Sequence, residues 1–143
     1  MPIADEFGTD LSIEIEMHPE PTPISQPYWD ALKHGRLTFQ RCRKCSHAWL
    51  PARAECPNCL AAEWDWTEAS GKGRVVSWVI YHHAYHEAFR DKLPYNVALV
   101  ELDEGPRLIT NIVNPEAGLK AERPVTVKIE DEHGVALARF ALT

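Results

Sequence analysis

Apolar and polar residues alternate most clearly toward the end of the chain, where Thr126 and Lys128 separate Val125, Val127 and Ile129. A period of two sends alternate side chains to opposite faces, which predicts a half-buried strand. Four other runs are rich in Val, Ile, Trp and Tyr: Arg74 to Tyr81, Tyr95 to Leu102, Leu108 to Val113, and Val135 to Leu142. Such residues suit a pleated surface, so five strands are predicted. Gly71 and Gly73 bracket Lys72 in a bend before the first strand, and Glu104-Gly105-Pro106 turns between the second and third. The one longer link starts at Asn114-Pro115-Glu116-Ala117-Gly118, between the third and fourth strands. Five strands with a longer link at that point match a small Greek-key barrel of the OB type, although the spacing does not exclude other five-stranded barrels. The fold class is therefore mainly β, with residues 69–143 as the barrel.

The first part of the chain has a different texture. Residues 1–24 read as an acidic, flexible tail: Asp5, Glu6, Asp10, Glu14, Glu16 and Glu20 occur there without a Lys or Arg, and Pro19, Pro21 and Pro23 follow. Alternation of Leu11, Ile13 and Ile15 leaves a short edge strand as the other reading. Residues 25–36 predict a short helix, with Ser25 as its cap, Pro27 in the first turn and Gly35 at its end. Tyr28 and Leu32, with Trp29, form its apolar face. A helix this short needs packing to hold it.

Between helix and barrel, residues 37–68 carry the whole cysteine content: Cys42-x2-Cys45, ten residues, then Cys56-x2-Cys59. Each pair makes a tight turn whose backbone N–H groups face the sulfurs, and two such knuckles supply a tetrahedral S4 shell suited to zinc. Pro57 stiffens the second turn, and strand-like residues from Leu37 to Gln40 lead into the first. Two redox or disulfide pairs are the competing reading, but a thioredoxin-type centre needs a single such motif in a βαβ setting, which the pattern lacks. His47 is a substitute ligand on paper, yet four cysteines already close the shell. One structural Zn2+ is expected, with no open position for catalysis.

Charge refines this picture. The chain has 143 residues, a net charge of -6 and 45% hydrophobic residues, enough for a core but lacking the cationic excess of a general nucleic-acid coat. No apolar run reaches the ~20 residues of a bilayer span, and Met1 to Asp10 lacks an apolar signal core, so a reducing cytoplasmic setting is expected and metal is favoured over disulfides. No acid falls between Ala31 and Ala54, whereas Lys33, Arg36, Arg41, Arg43, Lys44 and Arg53 do. These cations either compensate the roughly -2 charge of a zinc tetrathiolate or, for Arg41, Arg43, Lys44 and Arg53, form a patch for a phosphate or an acidic partner.

Weaker signals complete the reading. His82, His83 and His86, with Tyr85 and Glu87, follow the first barrel strand and read as loop polar residues, or as a second metal or acid–base group. Arg90, Asp91 and Lys92 read as solvated charges. The five tryptophans, Trp29, Trp49, Trp64, Trp66 and Trp78, serve packing or stack on a base. No nucleophile elbow, phosphate loop or paired-carboxylate motif is present.

The order of helix, four-cysteine ribbon and five-stranded barrel resembles the acyl-CoA-associated zinc-ribbon and OB-fold proteins. The resemblance is carried by Leu37-Thr-Phe-Gln-Arg-Cys-Arg-Lys-Cys45, Pro51-Ala-Arg53 before Cys56-Pro-Asn-Cys59, Gly71-Lys-Gly-Arg-Val-Val-Ser-Trp78, and Pro94-Tyr-Asn-Val-Ala-Leu-Val-Glu-Leu-Asp-Glu-Gly105. It runs from about Tyr28 to the end, with Ser46 where a Gly often follows the first knuckle and Ala138 where a Pro is common. The resemblance implies a rubredoxin-like zinc ribbon, zinc at all four cysteines, and a non-catalytic accessory subunit in acyl-CoA and lipid metabolism. Its implied partners are a thiolase-like, lipid-transfer-type or MaoC-like hydratase subunit and an acyl-CoA. Arg74, Trp78, His82 and His86 are the candidate ligand contacts, chosen by position on the first strand and its loop. A single-stranded nucleic-acid binder and a ligand-free scaffold are the alternatives, since fold is weak evidence for function.

Overall fold

The computed structural model describes residues 19–84 and 87–143. The acidic stretch 1–18, with its candidate strand at Leu11 to Ile15, lies outside the described residues, as do Tyr85 and His86. The chain divides into two compact units, one of residues 21–79 and 96–143, the other containing residues 80–84 and 87–95.

Helix α1 (Gln26–Lys33) forms where the sequence predicts it, with Pro27 in its first turn. Ser25 occupies the cap position, but its hydroxyl accepts the Thr22 backbone N–H at 2.8 Å and does not cap the helix. Gly35, at φ 79°, reverses the chain while its N–H reaches the Leu32 carbonyl at 2.9 Å, so a residue free of the Cβ penalty ends the helix. Leu32 is buried, and Tyr28 and Trp29 are half-buried against the core.

The ribbon sheet has the order β2–β1–β3, from β1 (Thr38–Cys42), β2 (Ala48–Trp49) and β3 (Trp64–Glu68). All pairs are antiparallel, with Gln40 opposite Trp49 on one side and Trp66 on the other.

Five strands make the second sheet: β4 (Lys72–Tyr81), β5 (Tyr95–Leu102), β6 (Arg107–Thr110), β7 (Pro124–Glu132) and β8 (Val135–Leu142). Their order is β6–β5–β4–β7–β8. A parallel bridge between Ile112 and Phe140 joins the two outer strands, giving a nearly closed barrel of the OB type. Several strand boundaries move, and β7 runs past the expected Val125–Ile129 to cover Pro124–Glu132. The first barrel strand begins at Lys72 and not Arg74, and the reason is close approach: a Cβ on Gly73 would sit 2.4 Å from the Glu101 carbonyl oxygen. The third strand ends at Thr110, because Asn111 turns its carbonyl to the Phe140 N–H and the chain leaves β5.

One hydrophobic cluster joins all three parts: Leu32 from α1, Phe39 from β1, and Val75, Val100, Val125 and Phe140 from the barrel. The ribbon is therefore anchored at its inner end in the barrel's core, while its outer end has a separate cluster of Cys42, Trp49 and Cys56. In the other unit, Tyr81 and Tyr95 stack with ring centroids 5.1 Å apart, and a 3-10 turn runs over Glu87–Lys92.

Buried Asn96 fixes the closure. Its amide donates to the Ile112 carbonyl at 2.9 Å and accepts the Ile112 N–H at 2.7 Å, satisfying both polar groups of a buried backbone. Replacing Asn96 by Ala strands both groups, and the expected loss is about 2–4 kcal/mol of stability, read from the urea midpoint at unchanged m-value. A loss below about 0.5 kcal/mol would show that closure does not depend on this side chain.

Candidate metal centre and adjoining groove

The two knuckles fold by the same local rule. In the first, Cys42 N–H donates to the His47 carbonyl and Ser46 N–H to the Cys42 carbonyl; in the second, Cys56 and Leu60 repeat this with Ala61 and Cys56. Backbone N–H groups of Lys44 and Cys45 lie 3.3 and 3.4 Å from the Cys42 sulfur, and those of Asn58 and Cys59 lie 3.4 Å from the Cys56 sulfur. Such donors stabilise thiolates before any metal arrives. Ser46 (φ 67°) and Leu60 (φ 68°) take the left-handed conformation that closes each turn, which explains why a Gly suits the position of Ser46.

The four sulfurs lie within 4.8 Å of one another, and the Cys42–Cys59 and Cys45–Cys56 distances are both 3.6 Å. A disulfide needs about 2.05 Å, whereas a zinc tetrahedron with ~2.3 Å bonds has edges of about 3.8 Å. The geometry is that of a metal cage. His47 is absent from it; its ring stacks on Trp49 at 6.2 Å.

Electrostatics leads to the same conclusion. The Asn58 side-chain amide, followed by the His47 backbone, lowers the Cys45 thiol to about 6, and the Cys45 backbone N–H lowers Cys42. Cys59 is pushed up to about 12: the Ala61 backbone N–H pulls downward, but burial and the three other sulfurs outweigh it. Four thiolates this close need a dication between them. Zn2+ bound here has no open coordination position, so it staples the ribbon.

The cations predicted as a patch are not equivalent. Arg43 lies 3.7 Å from Asp65 and Lys44 3.9 Å from Glu63, exposed pairs across β3 that contribute little to stability. Arg41 donates to the Ser46 carbonyl at 2.9 Å and lies 5.3 Å from the Phe39 ring centroid. Arg41 and Arg53 have no carboxylate partner among the described residues. The candidate ligand contacts differ in their settings. Arg74 is held by Glu101 and by Glu122 (2.6 Å), Trp78 is half-buried against the core, and His82 is exposed in the other unit. His86 is outside the described residues.

Sequence reasoning missed a groove of about 420 Å³ on the barrel's outer wall. It is lined by Tyr28 and Trp29 of α1, by the loop at Leu50 and Pro51, and by Leu99, Ile109 and Leu137 of the barrel strands. Burial pushes the Tyr28 hydroxyl up to about 12, so it stays neutral. Gln40, fully buried on β1, pins the loop: its amide donates to the Arg53 carbonyl and accepts the Arg53 N–H, both at 2.8 Å. One available signal was that β5 carries apolar residues on both faces, Val97 and Leu99 as well as Ala98 and Val100.

Two measurements check the metal centre. Cys56→Ser is expected to drop bound zinc from one equivalent to near zero by elemental analysis and to unfold the ribbon, because so small a module has little core of its own. Retained zinc at a normal melting temperature would refute the ligand set. Ser46→Gly is expected to stabilise the zinc-loaded protein by about 0.5–1 kcal/mol, by relieving the left-handed strain; destabilisation would contradict that conformation.

Comparison with known proteins agrees with this architecture. Residues 29–65 match the ChsH2 rubredoxin-like zinc ribbon domain, and residues 66–130 match the ChsH2 C-terminal OB-fold domain. A DUF35 domain-containing scaffold protein of Pyrococcus furiosus is 34% identical, covering 82% of this chain and 90% of that protein. A probable enoyl-CoA hydratase alpha subunit of Thermomonospora curvata is 46% identical over 60% of this chain, which spans only 26% of that longer protein. Among solved structures, a chain of the Ltp2–ChsH2(DUF35) aldolase superposes with TM-score 0.77 at 35% identity, covering 87% of this chain and 98% of that one. A DUF35 protein of Sulfolobus solfataricus, at 18% identity and TM-score 0.63, shares the fold. A four-cysteine cage holding one structural zinc, followed by an OB barrel and matched in this way along its length, places the chain in the DUF35 family of ChsH2-type zinc-ribbon and OB-fold proteins.

Proposed function

We propose that this chain is a non-catalytic accessory subunit of an acyl-CoA enzyme. It docks on a thiolase-like, lipid-transfer-type or MaoC-like hydratase subunit and helps hold or bridge the acyl-CoA while the partner performs the chemistry. The observation that carries this reading is the likeness to a complete chain of the Ltp2–ChsH2(DUF35) aldolase, supported by relatives named as scaffold proteins and hydratase alpha subunits.

Physical features support the same role. The closed S4 shell gives the zinc a structural task, leaving recognition to surfaces. An open apolar groove on so small a protein is the kind of surface that partners cover. Arg41 and Arg53, the two patch cations without a carboxylate partner among the described residues, suit a CoA phosphate or an acidic partner surface; Arg43 and Lys44 can exchange their weak pairs for either. Net negative charge elsewhere weighs against nonspecific nucleic-acid binding. Arg74, Trp78, His82 and His86 remain proposed contacts for the ligand, with Arg74 requiring release from its two carboxylates.

Affinity purification of the tagged chain from its native host, with partners identified by mass spectrometry, tests the proposal. An acyl-CoA enzyme subunit in constant ratio is expected. RNA or ribonucleoproteins lost at high salt, with no such enzyme, would overturn it. In the recovered complex, Arg41→Glu with Arg43→Glu is expected to weaken partner or CoA binding about tenfold while zinc is retained; unchanged binding would return these cations to compensating the thiolate charge.

A further inference from the structure

The barrel's closure stops short. Phe140 N–H donates to the Asn111 carbonyl at 3.1 Å and the Phe140 carbonyl accepts the Val113 N–H at 2.9 Å, one rung of a parallel ladder. The next rung would join Ala138 N–H to the Ile109 carbonyl and Asn111 N–H to the Ala138 carbonyl. It is not formed: the Thr110 hydroxyl takes the Ala138 carbonyl at 2.7 Å. Along β6 the hydrogen-bonding direction alternates, and Leu102 N–H bonded to the Pro106 carbonyl shows that even-numbered residues face β5. The backbone N–H and C=O of Ile109 therefore turn away from β5, toward the groove, and have no backbone partner in β8.

The side chains around this edge point to one kind of occupant. Ile109 is 70% exposed on a strand that lacks the usual protection of Pro or Lys. Arg107, on the same face, touches Glu101 only through a 3.7 Å contact, and the other Glu101 oxygen is engaged by Arg74. Arg139, also lining the groove, is neutralised by Glu130 and Glu132. The groove thus offers open strand backbone, apolar walls, and cationic charge at its Arg107 end.

We propose that the β6 edge is a docking strand for an extended segment of the partner subunit, with alternating apolar residues and a carboxylate placed against Arg107. Backbone hydrogen bonds to Ile109 supply the affinity, and the Tyr28, Trp29 and Leu50 walls select the apolar side chains. This rests on the accessory-subunit reading and names the surface through which it operates.

The test uses the enzyme subunit recovered with the chain, titrated by calorimetry into wild type, Ile109→Pro, Ile109→Thr and Arg107→Glu. Pro at 109 removes an N–H that the fold does not use and replaces a side chain that is mostly exposed, so zinc content and melting temperature are expected to hold. Binding is expected to weaken at least about tenfold for Ile109→Pro and Arg107→Glu, and less for Ile109→Thr, which keeps the N–H. Hydrogen exchange supplies a readout independent of folding defects: the Ile109 amide should become protected in the wild-type complex. Octanoyl-CoA, added as a competitor, should not displace the subunit. Unchanged binding by Ile109→Pro, an unprotected Ile109 amide, or displacement by octanoyl-CoA would each overturn the docking strand while leaving the accessory role standing. Failure to recover any acyl-CoA enzyme subunit would instead remove the accessory reading and this inference with it.

Discussion

Four thiols crowded within 4.8 Å cannot all ionise unless a dication sits among them, and the rest of the ribbon depends on that constraint. The cost of gathering like charges is offset by zinc coordination and by the N–H groups that each knuckle turns toward its sulfurs. Order then propagates along β1. Cys42 belongs to the metal cluster, Phe39 to the barrel core, and Gln40 between them holds the loop that walls the groove. A metal with no catalytic opening thereby acquires a structural consequence several residues away.

The barrel supplies the complementary half of the surface. Asn96 ties Ile112 to β5 and brings the two outer strands together at Phe140. Past that rung the strands no longer pair, and the unpaired stretch is the one facing the apolar groove. Closure at one end and opening at the other are consequences of the same short β6. A protein that retains an exposed Ile on an open edge accepts an aggregation hazard, which is relieved when a partner covers it.

Much of this was legible in the residues. Two Cys-x2-Cys pairs ten residues apart define the cage, because the ligand chemistry is local to each turn. The alternation at Val125 to Ile129 and the Pro27–Gly35 punctuation locate β7 and α1 for the same reason. What escaped depends on contacts distant in sequence. Gly73 looks like a bend residue until the Glu101 carbonyl is seen beside it. Arg74 looks like a free cation until Glu101 and Glu122 arrive from other parts of the chain. The groove is assembled from α1, the ribbon loop and three barrel strands, so no single window contains it. Its trace in the sequence is only the surplus of apolar residues on the outer face of β5.

We propose that zinc orders a surface on which an enzyme partner docks. Calorimetric binding of the recovered enzyme subunit to zinc-loaded, chelator-stripped and zinc-restored protein tests it most directly. Binding by the loaded form, loss on stripping, and recovery when zinc is returned are expected. Equal binding by the loaded and stripped forms would contradict it, because the partner would then be recognising something that the metal does not hold in place.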